Sequence, residues 1–304
     1  MRTFFSVPVN AIHDRTMGKQ SGFTLIELSI VLVIIGLIIG GVLVGQDMVR
    51  AASVRATLTQ IEKYNTAVNT FRGKYDALPG DLNAQVATRF GFTARGTYLG
   101  EGDGNGIIEG ITSAASDNNN SGMAEFGGET SMFWGDLTYA GGLNINLIEG
   151  SFPNENIASA LPSNIAVTAF NQYLPEAKIG RGNFWYVWSM YGVNRFALSV
   201  PTGSSAANIY NNPGLTVREA YSIDQKIDDG LPTTGNVYAA FISNTGAVQN
   251  RYWVGTNWTY PTVSNLAIST STCFDNNNTG GAPLLYSMSN NAERMNCALT
   301  FNFK

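Results

Sequence analysis

The sequence predicts an α+β chain in which a long N-terminal helix, apolar enough in its first half to span a membrane, packs its second half on an antiparallel sheet. Three observations predict this. A long apolar run fills Phe23 to Val44, and apolar residues then recur at three- and four-residue steps from Val54 to Tyr75. The remainder holds short β-rich runs separated by Gly- and Asn-rich turns. The expected organisation is a leader over 1–22, a spanning helix over 23–44, its amphipathic continuation over 45–75 and a globular α+β domain over 76–304.

The leader is polar and carries Lys19-Gln-Ser-Gly22 directly before the apolar run. A secretory signal peptide places its apolar stretch ahead of the cut. Here the candidate cut precedes it, so the anchor survives processing. The run of 22 residues, Phe23 to Val44, makes roughly 33 Å of helix, enough to cross a bilayer. Arg2, Arg15 and Lys19 on its N-terminal side hold that end in the cytoplasm, a bias that Arg50 and Arg55 on the far side weaken.

Composition removes several function classes. Charged residues are 13% of the chain, against about 25% in an average soluble protein, which describes a neutral-polar surface. Without the leader the chain keeps 15 basic and 21 acidic residues, a formal charge of −6. That balance disfavours nucleic acid as a partner. The single histidine, His13, lies in the leader, so the processed chain has no histidine for a triad, a general base or a zinc site.

Glu27 stands five positions into the apolar run, where an unpaired carboxylate costs on the order of a few kcal/mol. Either headgroups hydrate it or a cation meets it inside the membrane. Gly22-Phe-Thr-Leu-Ile-Glu27 is similar to the cleavage and methylation motif of type IV pilins and type II secretion pseudopilins. The resemblance extends over about residues 17–75. It implies that a prepilin peptidase cuts after Gly22 and methylates the new N-terminal Phe23, and that Glu27 neutralises the N-terminal amine of a neighbouring subunit. Attraction between the two charges in low dielectric relieves the burial of both.

The resemblance further implies a pilin-like fold and a non-enzymatic structural subunit with no catalytic residue. Its implied partners are other pilin or pseudopilin subunits, an assembly ATPase and an inner-membrane platform. The implied location is the bacterial inner membrane, with the N-terminus cytoplasmic and the globular domain periplasmic or in an extracellular filament. Major type IV pilins commonly carry a proline near mature position 22, whereas this chain has Val44 there and no proline between Phe23 and Pro79. Gly36, Gly40, Gly41 and Gly45 can supply local flexibility instead, and the departure favours a pseudopilin or minor pilin.

Beyond the anchor, Val54, Leu58, Ile61, Tyr64 or Val68, Phe71 and Tyr75 share one helical face. Phe23 to Tyr75 as one helix runs to roughly 80 Å and stops before Leu78-Pro79-Gly80-Asp81. The stripe is read as core. Asn183 to Tyr191 and Asn194 to Val200 read as a hairpin. The first of these has apolar and aromatic residues on both faces, as a central strand does, although an aromatic platform for carbohydrate fits the same residues. Further strands are expected over Val237 to Ile242, Ala247 to Val254 and Ala298 to Phe303, with loops at 117–122, 211–214 and 276–281.

Calcium is the cofactor the sequence points to. Glu101-Gly-Asp-Gly-Asn-Gly-Ile-Ile-Glu109 spaces oxygen ligands two apart with intervening glycines that let backbone wrap around a hard cation. Asp103, Asn105 and Glu109 are the candidate ligands, with a plain Gly-rich turn as the competing reading. Val217 to Ile227 reads as a short amphipathic helix ended by Gly230, and Asp224, Asp228 and Asp229 either join that site or cap a solvated helix end. Asp224 and Asp228 are also the only candidates for a membrane-anchored hydrolase. Cys273 and Cys297 are the only cysteines, near the C-terminus in the predicted exported part, and a disulfide is expected between them in an oxidising compartment. A disulfide-bounded C-terminal loop is also what the resemblance implies. The competing function is a minor tip pilin or adhesin whose large domain binds a surface, DNA or a secretion substrate.

Overall fold

The computed structural model describes residues 22–95, 102–110, 127–140, 143–153, 167–190, 192–205, 208–240, 273–276, 279 and 282–303. Helix α1 spans Leu25–Tyr75, followed by α2 (Ala84–Phe90), α3 (Glu129–Thr138), the two-residue strands β1 (Tyr139–Ala140) and β2 (Leu143–Asn144), and a 3-10 turn over Val167–Gln172. Then come β3 (Phe184–Met190), β4 (Val193–Ser205), β5 (Asn208–Asn212), β6 (Leu215–Thr216), α4 (Val217–Ile227) and β7 (Val237–Ala240). The chain closes with β8 (Phe274–Asp275), β9 (Leu285–Tyr286), α5 (Met288–Asn291) and β10 (Met295–Asn302). Residues up to Val49 and residues from Arg50 onward form two compact units.

In the first unit every large apolar side chain from Phe23 to Val49 is exposed. By length and composition this part of α1 is able to cross a membrane. In the second unit α1 buries Val54, Thr57, Ile61, Tyr64, Ala67, Val68, Phe71 and Tyr75, with Leu58 half-buried against the core. This is the predicted stripe, widened by the small residues Thr57 and Ala67 that let the sheet approach. The helix ends where expected, at Tyr75, and Asp76 adopts φ 56° to turn the chain.

The antiparallel sheet runs β3-β4-β10-β6, with β5 also on β4 and β7 also on β10. Register places Trp185 opposite Leu198 and Val187 opposite Phe196, while Leu299 and Phe301 of β10 pair with Leu198 and Phe196 from the other side. Alternation along strands puts these residues on one face, and α1 lies on it. Tyr64 meets Trp134, Trp185 and Phe196 with ring centroids 4.9, 5.8 and 6.1 Å apart. Packing of this kind is worth about 1.5–3 kcal/mol for each fully buried large side chain.

The predicted hairpin is β3–β4, and Trp185, Tyr186 and Trp188 are buried, which makes them core and not an exposed carbohydrate platform. The central position expected for the first strand is not observed. Among the described residues β3 pairs only with β4, apart from one bridge between Phe184 and Glu176. Both its faces are buried because α1 covers one and Phe170 of the 3-10 turn meets Phe184 on the other, with ring centroids 6.2 Å apart. Asn211 and Asn212, expected in a loop, belong to β5, where Asn212 pairs with Val200. β10 begins at Met295, three residues before the expected start. Residues 241–270 lie outside the described residues, as do the predicted strand Ala247 to Val254, the loop 117–122 and all of the leader before Gly22.

Cys273 and Cys297 form the expected disulfide. It joins the start of β8 to the middle of β10 and so ties the β8–β9 ribbon to the main sheet.

Candidate functional site

Two regions carry chemistry. The first is the start of α1. Gly22 and Phe23 are exposed ahead of the helix, and Glu27 is exposed in its first turn. Thr24 precedes the helix. Its backbone N–H donates to Glu27 Oε2 at 2.8 Å, its hydroxyl donates to the same oxygen at 2.8 Å, and Glu27 N–H lies 3.3 Å from Thr24 Oγ1. Thr24-Leu-Ile-Glu27 thus closes as a capping box, in which each residue satisfies the other's free backbone donor.

The second region is acidic and is assembled from three separated stretches. Gly80 and Gly102 make it possible, because both have positive φ (85° and 92°) and a Cβ on either would fall 2.4 Å from Glu129 O or 2.3 Å from Leu82 O. Asp81, just beyond the Leu-Pro-Gly stop, accepts from Gly104 N–H and Gly106 N–H, both at 2.7 Å. Glu129, in the first turn of α3, accepts from Gly102 N–H at 3.0 Å and Glu109 N–H at 2.9 Å. The loop is fixed to the β3–β4 hairpin through Asn194, whose side chain accepts from Ile108 N–H and donates to Gly106 O, both at 2.8 Å.

Asp81, Asp103 and Glu129 bring one carboxylate oxygen each within 4.8 Å of one another. A calcium ion bonds oxygens at about 2.3–2.6 Å, so this spacing suits a shared cation. Each carboxylate oxygen retains acceptor capacity beside its backbone donor. Electrostatics point the same way. Burial pushes Asp81 up to about 6, with the Asp103 charge adding to it and the Gly106 and Gly104 amides opposing it. Burial, then the Asp81 charge, raises Glu129 well above the usual carboxylate range, with Glu109 also repelling it and the amides of Glu109 and Gly102 opposing. Nearby Arg95 pairs with Asp136 at 2.6 Å, both side chains fully buried, and Asp136 also accepts from Gly80 N–H at 2.6 Å.

Of the three residues expected here, Asp103 is brought into the group. Asn105 points its Oδ1 at Ile107 N–H, 2.6 Å away, and donates to Asp103. Glu109 is buried beside Glu129. Sequence reasoning missed Asp81 and Glu129. The first followed the Pro79-Gly80 turn that places it, a usable signal, whereas the second arrives only through the tertiary position of α3. Asp224, Asp228 and Asp229 form a separate acidic group. Asp224 accepts from Tyr286 Oη at 2.7 Å and Gly230 N–H at 3.3 Å, Asp228 accepts from Asn236 and Val237 N–H, and Asp229 accepts from Leu231 N–H. These three therefore organise the turn after α4, as a helix end does.

The profile of one family, the prokaryotic N-terminal methylation motif, matches residues 17–43. No curated protein matches the chain. No solved structure matches it either. The motif is typical of type IV pilins and type II pseudopilins, and the long helix on an antiparallel sheet is an α+β, pilin-like fold. The motif implies a subunit of pilin or pseudopilin type, a class that is generally structural and non-enzymatic. The motif implies processing by a prepilin peptidase and assembly with pilin machinery, and with the apolar helix it indicates a membrane-anchored or filament protein.

Proposed function

We propose that this chain is a structural subunit of a type IV pilus-like or type II secretion pseudopilus filament, cut after Gly22 and assembled through its N-terminal helix. Residues 1–22 are the leader, 23–44 the membrane and filament-core segment, 45–75 its amphipathic extension and 76–304 the exported domain. Glu27 carries the reading, as a carboxylate in the first turn of a helix whose large apolar side chains through Val49 are all exposed. Cleavage frees an ammonium at Phe23, and Glu27 of one subunit pairs with that ammonium on the next. Charge pairing in low dielectric then sets subunit register. The disulfide supports an oxidising location for the globular domain, and Arg2, Arg15 and Lys19 ahead of the helix support a cytoplasmic N-terminus. The missing proline favours a pseudopilin or minor pilin.

The test is Glu27→Ala in the full chain with its assembly machinery. The variant is inserted and cleaved yet absent from sheared filaments. Normal incorporation overturns the pairing.

The acidic loop has a role in this reading as a calcium site. Asp103, Asp81 and Glu129 are the ligating carboxylates, with Asn105 and Glu109 shaping the loop around them, and the ion neutralises charges gathered within 4.8 Å of one another. Calcium raises the melting temperature of the wild-type chain, and the Asp81→Asn, Glu129→Gln double variant does not respond. An equal shift in both contradicts the site.

A further inference from the structure

The carboxylate that the assembly reading depends on is already held by its own chain. Glu27 Oε2 takes two donors from Thr24, the backbone N–H and the hydroxyl, each at 2.8 Å. Among the described residues Oε1 has no partner. The amide donor exists before and after processing, because the cut falls between Gly22 and Phe23 and leaves the Phe23–Thr24 peptide intact. The hydroxyl is what the threonine side chain adds.

We infer that Thr24 is a positioning residue for subunit assembly, holding Glu27 with Oε2 engaged and Oε1 open to the N-terminal ammonium of the next subunit. This rests on the reading that Glu27 pairs with that ammonium. An ionised carboxylate in the first turn of a membrane helix needs donors while the subunit is unassembled, and charge-assisted hydrogen bonds from Thr24 supply them. The same bonds restrict the glutamate's rotamers, so less conformational freedom is lost when the neighbour docks. Oε2 stays occupied throughout, and the incoming ammonium displaces nothing.

The experiment compares Thr24→Val, Thr24→Ser and Glu27→Ala in the full chain, scoring membrane insertion, N-terminal cleavage and the amount of subunit in sheared filaments. Thr24→Val keeps the shape and the backbone donor but loses the hydroxyl. It is inserted and cleaved as wild type, and filament incorporation falls on the order of tenfold, the weight of a hydrogen bond to a charged group. Thr24→Ser, which restores the hydroxyl, returns incorporation to the wild-type level. Wild-type incorporation of Thr24→Val while Glu27→Ala fails overturns the positioning role and leaves the pairing intact. Failure of Thr24→Ser to restore assembly also overturns it, as does uncleaved Thr24→Val, since the residue then acts on the peptidase. Normal assembly of Glu27→Ala overturns the underlying pairing instead.

Discussion

Arg95 and Asp136 face each other inside the globular unit, both fully buried at 2.6 Å. Removing one partner strands the other charge, so Asp136→Ala destabilises the fold by about 3–5 kcal/mol, measured as a shift in urea midpoint. Asp224 is also buried, and its surroundings push its carboxyl from 3.8 up to about 7, burial first, with Asp229 and Asp228 adding repulsion and the Tyr286 hydroxyl and Gly230 amide opposing. Between those two values the folded chain holds a proton that the unfolded chain has released. Asp224 therefore stabilises the fold fully below its unfolded value, and this is lost as pH rises through its folded value. Asp81 and Glu129 act in the same direction, whereas Glu149 and Glu293, lowered by Lys63 and Arg218, act in the opposite one. The informative comparison is thus a difference. Asp224→Asn shows a smaller loss of urea midpoint between about pH 5 and pH 8 than wild type does, in chelator-treated protein.

At the scale of elements, α1 was the most legible part of the chain, since one periodic stripe from Val54 to Tyr75 specifies both helix and buried face. Phe71 is fully buried and meets Tyr75 and Phe92, so Phe71→Ala costs about 3–5 kcal/mol in a denaturation experiment. The α4 helix was legible in the same way, from its amphipathic pattern and the Gly230 stop, and the structure adds a Thr216–Glu219 capping box at its start, with Arg181 clamping the same glutamate at 2.6 Å. The sheet was read less completely. Aromatic residues on both faces of β3 signalled burial correctly but not its place in strand order among the described residues, because packed layers cover a strand's faces whereas order is set by the hydrogen bonds along its edges. The acidic site was half legible. Asp103 stood in a recognisable Gly-spaced loop, while Glu129 joins it through the packing of α3, which no local pattern in the chain encodes.

At the scale of the molecule, the disulfide closes a separation of 24 residues and attaches the β8–β9 ribbon to β10. Its removal in the Cys273→Ser, Cys297→Ser double variant costs about 3 kcal/mol by loop-closure entropy, read as a lower thermal midpoint of the packed α+β unit. In the proposed function, an exposed apolar helix and a packed α+β unit become an assembling subunit through one covalent event, the cut after Gly22. Mass spectrometry of the N-terminus of the chain recovered from its native host tests it most directly. The expected peptide begins at Phe23 and carries one added methyl group on its amine. A chain retaining Met1, or one cut anywhere other than after Gly22, contradicts it.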